Sequence, residues 1–115
     1  MATHRSLAIL EYLAHIERAL IPDDLVLATL EIPDDVAMAP APTLPSDWRA
    51  YPAPASLSRI GDRFIAERRF ACMQVPSVLV PYENNVMLNP VHSETGRMVR
   101  RQRLLPFFFD PRLLG

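Results

Sequence analysis

Glu11 and Ser77 are the side chains whose surroundings suit them best for chemistry. Glu11 lies one turn after Leu7 on a helix edge, with His15 and Arg18 following at i+4 and i+7. Such an edge is half in the core and half in water, where a carboxylate can be held and still be reached. Read alone, Glu11 is a helix-surface carboxylate. Ser77 stands between Pro76 and Pro81 in VPSVLVPYENNVMLNPVH, residues 75–92. The prolines stiffen the backbone and fix the direction of the hydroxyl, which suits it to hold a ligand. The alternative for Ser77 is a local turn hydrogen bond. Asn85 and Asn89 frame the apolar triplet Val86–Leu88 in the same segment.

Other chemistry is excluded by residue type. GxSxG, HExxH, GxGxxG and the phosphate loop are all missing, and three glycines cannot build a glycine-rich nucleotide cradle. Cys72 is the single cysteine, so there is neither a disulfide framework nor a CxxC zinc site; its apolar run predicts a buried, inert thiol. His4, His15 and His92 lack metal-ligand spacing, and no metal is expected.

These residues must be positioned by a chain of 115 residues, one domain's worth. Half the residues are apolar, which supports a packed core. No apolar run approaches ~18 residues, so no membrane span is expected, and no signal peptide is visible. A cytoplasmic protein is the expectation. All 12 cations are arginine against 13 carboxylates, for a net charge of -1. The balance is uneven: residues 1–47 carry 8 acids and 2 Arg, residues 48–115 carry 5 acids and 10 Arg. The halves are expected to neutralise each other within one fold. The arginines are scattered without interleaved aromatics, so no direct nucleic-acid contact is expected.

Apolar spacing predicts a helix over 5–20, with Leu7, Leu10, Leu13, Ala14, Ile16 and Leu20 forming one stripe. LVLATLEI, 25–32, reads as a buried strand. The stretch 33–54 holds six prolines and should wrap the surface, pinned by Leu44, Trp48 and Tyr51. A second helix is predicted over 57–69, with Ile60, Phe64 and Ile65 inward and Gly61 weakening it. FACMQV, 70–75, reads as a buried strand that VLV at 78–80 extends. A further strand is expected around 86–88, an extended segment over 98–109, and a closing DPRL turn. This order predicts an α+β domain, a small mixed sheet with packed helices.

The segment 75–92 resembles the C-terminal signature of the RES domain family, VPS-x-x-VP followed by N-x-L-L-N-P-x-H. The match runs through Val75-Pro76-Ser77, Val80-Pro81, Asn85, Leu88-Asn89-Pro90 and His92. SLAILEYLAHIE at 6–17 resembles the family's Glu-bearing helix and LVLATLEIPDD at 25–35 its next strand. DWR at 47–49, IGDRFI at 60–65 and FDPRLL at 109–114 agree in order.

The resemblance implies an ADP-ribosyltransferase-like fold and the toxin half of a bacterial toxin–antitoxin pair. It implies consumption of NAD⁺ by hydrolysis, phosphorolysis or ADP-ribosyl transfer, neutralised by a Xre-like antitoxin. It implies Glu11 as the catalytic residue, with Ser77 and Asn85 binding NAD⁺. A homo-oligomer or a hetero-complex is expected. The family places an Arg and a Tyr upstream of the Glu, and only ten residues precede Glu11. The resemblance therefore implies a domain without its N-terminal portion and with impaired turnover. The competing expectation is a catalytically inactive RES remnant that acts only as a protein-binding module.

Overall fold

A computed structural model describes residues 1–115. Helix α1 spans Arg5–His15. It is shorter than the predicted 5–20 because Ile16 turns extended (φ -123°, ψ 142°), and the chain then makes only a 3₁₀ turn at Arg18–Leu20. The inward face also differs from the predicted stripe. Leu7 is fully buried, while Leu10 and Leu20 are exposed. The packed face runs through Leu7, Ala8, Glu11 and Tyr12, because these residues find partners on both sides of the helix.

On one side lies an antiparallel ribbon of β1 (Val26–Thr29) and β5 (Arg103–Pro106), in register from Val26↔Pro106 to Thr29↔Arg103. Tyr12 of α1 stacks on Phe109 just beyond β5, with ring centroids 5.8 Å apart. The prediction of a buried strand over 25–32 fails. β1 pairs with β5 alone, and its residues alternate between exposed and half-buried because only one ribbon face is covered.

On the other side lies a mixed three-stranded sheet in the order β2-β3-β4. β2 (Met38–Ala39) runs parallel to β3 (Cys72–Pro76), and β3 is antiparallel to β4 (Asn84–Leu88), in register from Cys72↔Leu88 to Pro76↔Asn84. Met1–Thr3 extend this sheet at the β4 edge through a bridge from Ala2 to Asn85. Side chains alternate across β3 and β4, so both faces are covered. Cys72 and Val86 pack with Val36 and Met98 on one face. Met73 and Met87 pack with Phe64 and Ile60 of α2 on the other.

Helix α2 (Ala55–Glu67) starts after Pro54 and stops where Arg68 takes a left-handed conformation (φ 54°). Gly61 has a packing reason: a Cβ there would sit 3.3 Å from Met87 Cε, so the missing side chain lets α2 approach β4. Pro33–Pro54 is mostly irregular, as its prolines require, yet it supplies β2 and the buried Val36. Leu44 and Trp48 are half-buried, but Tyr51 is fully exposed and pins nothing.

Two extended readings are corrected. Residues 78–80 do not continue β3, because the Ser77 side chain turns the chain there. The segment from Met98 is not uniformly extended: Thr95–Arg100 form α3, which precedes β5. Buried Met98 anchors α3, while the Thr95 hydroxyl donates to the Asn89 carbonyl and the Glu94 amide to His92 Nδ1 (3.1 Å). These contacts override the apparent alternation. The closing turn is a 3₁₀ turn over Pro111–Leu113, its first amide taken by Asp110 Oδ1 at 2.9 Å. The core is small. Only 12 of 115 residues are buried, and the 15.4 Å radius of gyration exceeds the roughly 13 Å of a compact chain of this length, so wide clefts remain between the elements.

Candidate active site

The site forms where α1, the end of β3 and the start of β4 meet. Val75-Pro76 ends β3, and Ser77 begins a turn of its own making. Its Oγ accepts the amides of Leu79 (3.1 Å) and Val80 (3.2 Å), while its own amide donates to the Glu83 carbonyl (2.9 Å). The hydroxyl proton is thereby aimed away from the turn, and it donates to Glu11 Oε1 at 2.8 Å. Ser77 is 1% exposed, so this proton has no competing water.

Asn85 reaches the same atom from β4. Its Nδ2 donates to Glu11 Oε1 at 2.9 Å. Two donors therefore fix one carboxylate oxygen, and Oε2 is engaged by no other side chain. A carboxylate held this way keeps a defined direction for its second oxygen. The structure brings together all three residues singled out in sequence, across separations of 66 and 74 positions. The turn hydrogen bond read for Ser77 is present, and its hydroxyl also donates to Glu11.

Glu11 and Asn85 line a cleft of about 710 Å³, within the range of small-molecule sites. Tyr12, His15 and Met87 also line it. The ammonium of Met1 lies beside it, donating to the Val86 carbonyl at 2.8 Å. Burial pushes its pKa down, and the nearby Glu11 charge opposes that shift. Tyr12 is the residue that sequence reasoning missed. Its signal was adjacency to Glu11 together with the Phe109 ring that holds it, and the latter is a long-range contact.

Asn89, the second asparagine of the motif, is elsewhere. It is fully buried and donates to the Ile65 carbonyl (3.2 Å), while its Oδ1 accepts the Val91 amide (3.1 Å). It ties the hairpin to the end of α2. Cys72 is buried in the sheet, and burial pushes its thiol pKa up. No three His, Cys, Asp or Glu side chains cluster as metal ligands would. No helix is long and apolar enough to cross a membrane.

The chain is thus an α+β domain that buries a motif serine against a helix-borne carboxylate beside a ligand-sized cleft. Residues 1–110 match the RES domain family, and the chain belongs to that toxin–antitoxin-associated family. It is 39% identical over 114 residues to a protein of Yersinia enterocolitica serotype O:8 called Toxin Res, covering 98% of this chain and 75% of that one. A Toxin Res of Photorhabdus laumondii is 36% identical over 116 residues, covering 99% of this chain and 74% of the other. A Sphingobium protein called Prs ADP-ribosylating toxin is 32% identical over 117 residues, covering 98% and 72%.

Proposed function

We propose that the chain is a toxin domain that consumes NAD⁺, with Glu11 as its catalytic residue. The observation that carries this reading is the pair of donors on a single oxygen of Glu11 at the cleft. In the reaction the bond between nicotinamide and ribose C1′ breaks, and its electron pair leaves with nicotinamide. Positive charge builds on the ribose, and the free Oε2 of Glu11 stabilises it. The acceptor (water, phosphate or a protein side chain) then supplies the electron pair that forms the new bond to C1′. Ser77 and Asn85 act through Glu11: all the hydrogen-bonding capacity of the Ser77 oxygen is taken up by Glu11, Leu79 and Val80. The resemblance assigns these two residues to NAD⁺ binding, whereas their contacts favour a positioning role. The name of the Sphingobium relative supports ADP-ribose chemistry. A Xre-like antitoxin is the proposed partner.

The test follows nicotinamide release from NAD⁺ by chromatography and NAD⁺ binding by calorimetry. The wild-type chain should bind NAD⁺ weakly and release nicotinamide slowly, in line with the impaired turnover expected of a domain without the family's upstream Arg and Tyr. Glu11→Gln should retain binding and lose release by at least tenfold. Undiminished release by Glu11→Gln would remove the residue from the mechanism. A wild-type chain that binds no NAD⁺ would favour the protein-binding reading.

A further inference from the structure

A second cleft, of about 790 Å³, is larger than the one at Glu11. It lies between α2 and the proline-rich strap Ala39–Pro45. Its floor is apolar, made by Ile60, Phe64 and Met73, and Arg59, Arg63 and Arg69 line it above that floor. All three arginines are exposed, and no carboxylate lies within salt-bridge distance of any of them. Glu67 lines the same cleft and pairs with none of them. Contact ion pairs between the acidic and basic halves are few. Of the ten arginines in 48–115, only Arg97 bonds a carboxylate of the first 47 residues, Asp35 at 3.2 Å.

From this we infer that the cleft is a docking groove for an extended acidic peptide, a segment of a partner protein with carboxylates at alternate positions. Charge favours an acidic occupant, since three unpaired guanidinium groups share one apolar-floored groove. Spacing favours a strand. Arg59 and Arg63 stand four residues apart on α2, a rise of about 6 Å. Alternate side chains of an extended peptide stand roughly 6.6 Å apart, and the residues between them face the other way, here the apolar floor. A single phosphate would instead need guanidinium groups converging on one point, not spread along a helix. The groove also runs into an open strand edge: β2 pairs with β3 alone, and its Ala39 lines the cleft. Such an edge accepts a further extended chain. This surface shares neither Glu11 nor Asn85 with the catalytic cleft, so it stands or falls independently of NAD⁺ chemistry.

The probe is a fluorescein-labelled synthetic peptide of alternating Asp and Leu, followed by fluorescence anisotropy on the full chain. The wild type should bind, and Arg59→Glu with Arg63→Glu should weaken binding at least tenfold. Replacing Asp by Lys in the peptide should restore binding to that doubly substituted chain, which also shows that the variant is folded. Arg100→Glu with Arg103→Glu, equal in charge change but outside the groove, should leave binding within twofold. Equal loss in both pairs would reduce the effect to net charge and overturn the inference. So would failure of the peptide to bind the wild type. Displacement by inorganic pyrophosphate as effective as by unlabelled peptide would overturn it in favour of a small-anion site.

Discussion

Asn85 and Ser77 donate to the same oxygen of Glu11 but differ in what else they do, and that difference can be measured. Asn85→Ala removes one donor from Glu11 Oε1 and leaves the backbone pairing of β4 intact. A hydrogen bond to a charged group contributes about 1.5–3 kcal/mol. If that restraint is what aims Oε2 at the reacting ribose, its loss raises the barrier by a similar amount, and kcat falls roughly 10- to 150-fold. KM should hardly move if Asn85 acts only by holding Glu11, the bond its side chain makes here. Ser77→Ala removes the other donor and also the acceptor for two amides of the 77–80 turn. Leu79 is exposed, so water partly replaces that acceptor, and the added stability cost is about 1 kcal/mol. For a chain of this length that is about 4 °C in Tm.

The assay is steady-state nicotinamide release beside a thermal melt, for both single variants and the double. Both singles should lose kcat by similar factors and both should lower Tm, Ser77→Ala by about 4 °C more than Asn85→Ala because it also loses the turn acceptor. The double should lose less than the product of the singles, since both act on one carboxylate. A rise in KM at constant kcat in either single would show that the residue contacts substrate directly, and the positioning argument would fail. An Asn85→Ala chain that melts lower than Ser77→Ala would refute the account of the turn.

Three further outcomes are expected. Gly61→Ala should stay within about 1 kcal/mol of wild type, as helix propensity gains what Met87 Cε loses by yielding, whereas Gly61→Val should cost roughly 1–3 kcal/mol in urea unfolding. The Arg97 hydrogen bonds hold the Asp35 carboxyl below its ordinary range, so this pair stabilises the fold above about pH 4 and stops doing so as pH falls through the lowered value. Melting curves of wild type and Asp35→Asn should accordingly differ slightly at neutral pH and converge in acid; curves that diverge in acid would contradict the assignment. Burial raises the Cys72 pKa, so iodoacetamide at pH 8 should label it far more slowly in the native chain than in urea, as read by mass spectrometry.

The sequence was legible where local rules and tertiary packing agree. Helix α2 falls within two residues of its predicted ends, because Pro54 opens it and its inward residues Phe64 and Ile60 meet the sheet. Strand β3 was legible because its Cys72 and Met73 are both buried in a sheet covered on two faces. It misled where packing decides alone. Leu10 suggests a buried stripe on α1, yet the helix turns Glu11 and Tyr12 inward, since donors on β3 and β4 and a ring after β5 await them. Met98–Leu105 partly alternates like a strand, yet buried Met98 and the bonds from Thr95 to Asn89 and from Glu94 to His92 make its start the end of helix α3. β2 has only two residues and no pattern to detect; its partner β3 creates it.

The site was legible for a different reason: the proline-serine turn encodes geometry locally. Pro76 ends the β3 ladder at its pair with Asn84, so the next residue must leave the sheet. Serine there can take two amides of the outgoing chain onto its oxygen, and that fixes where its proton points. The hairpin register then places Asn85 opposite Val75, two residues before Ser77. Donors from both strands thus arrive on one side of the hairpin end without any help from the rest of the fold. What the hairpin cannot supply is the acceptor. Glu11 comes from α1, whose position depends on the β1–β5 ribbon through Tyr12 and Phe109. Phe109→Ala should therefore leave the Ser77 turn intact while loosening the distance from Glu11 to its two donors. Nuclear magnetic resonance can read both at once, with the Leu79 and Val80 amides unchanged and the Asn85 side-chain amide shifted. Movement of the turn amides instead would mean that α1, not the proline-serine pair, sets the hairpin end.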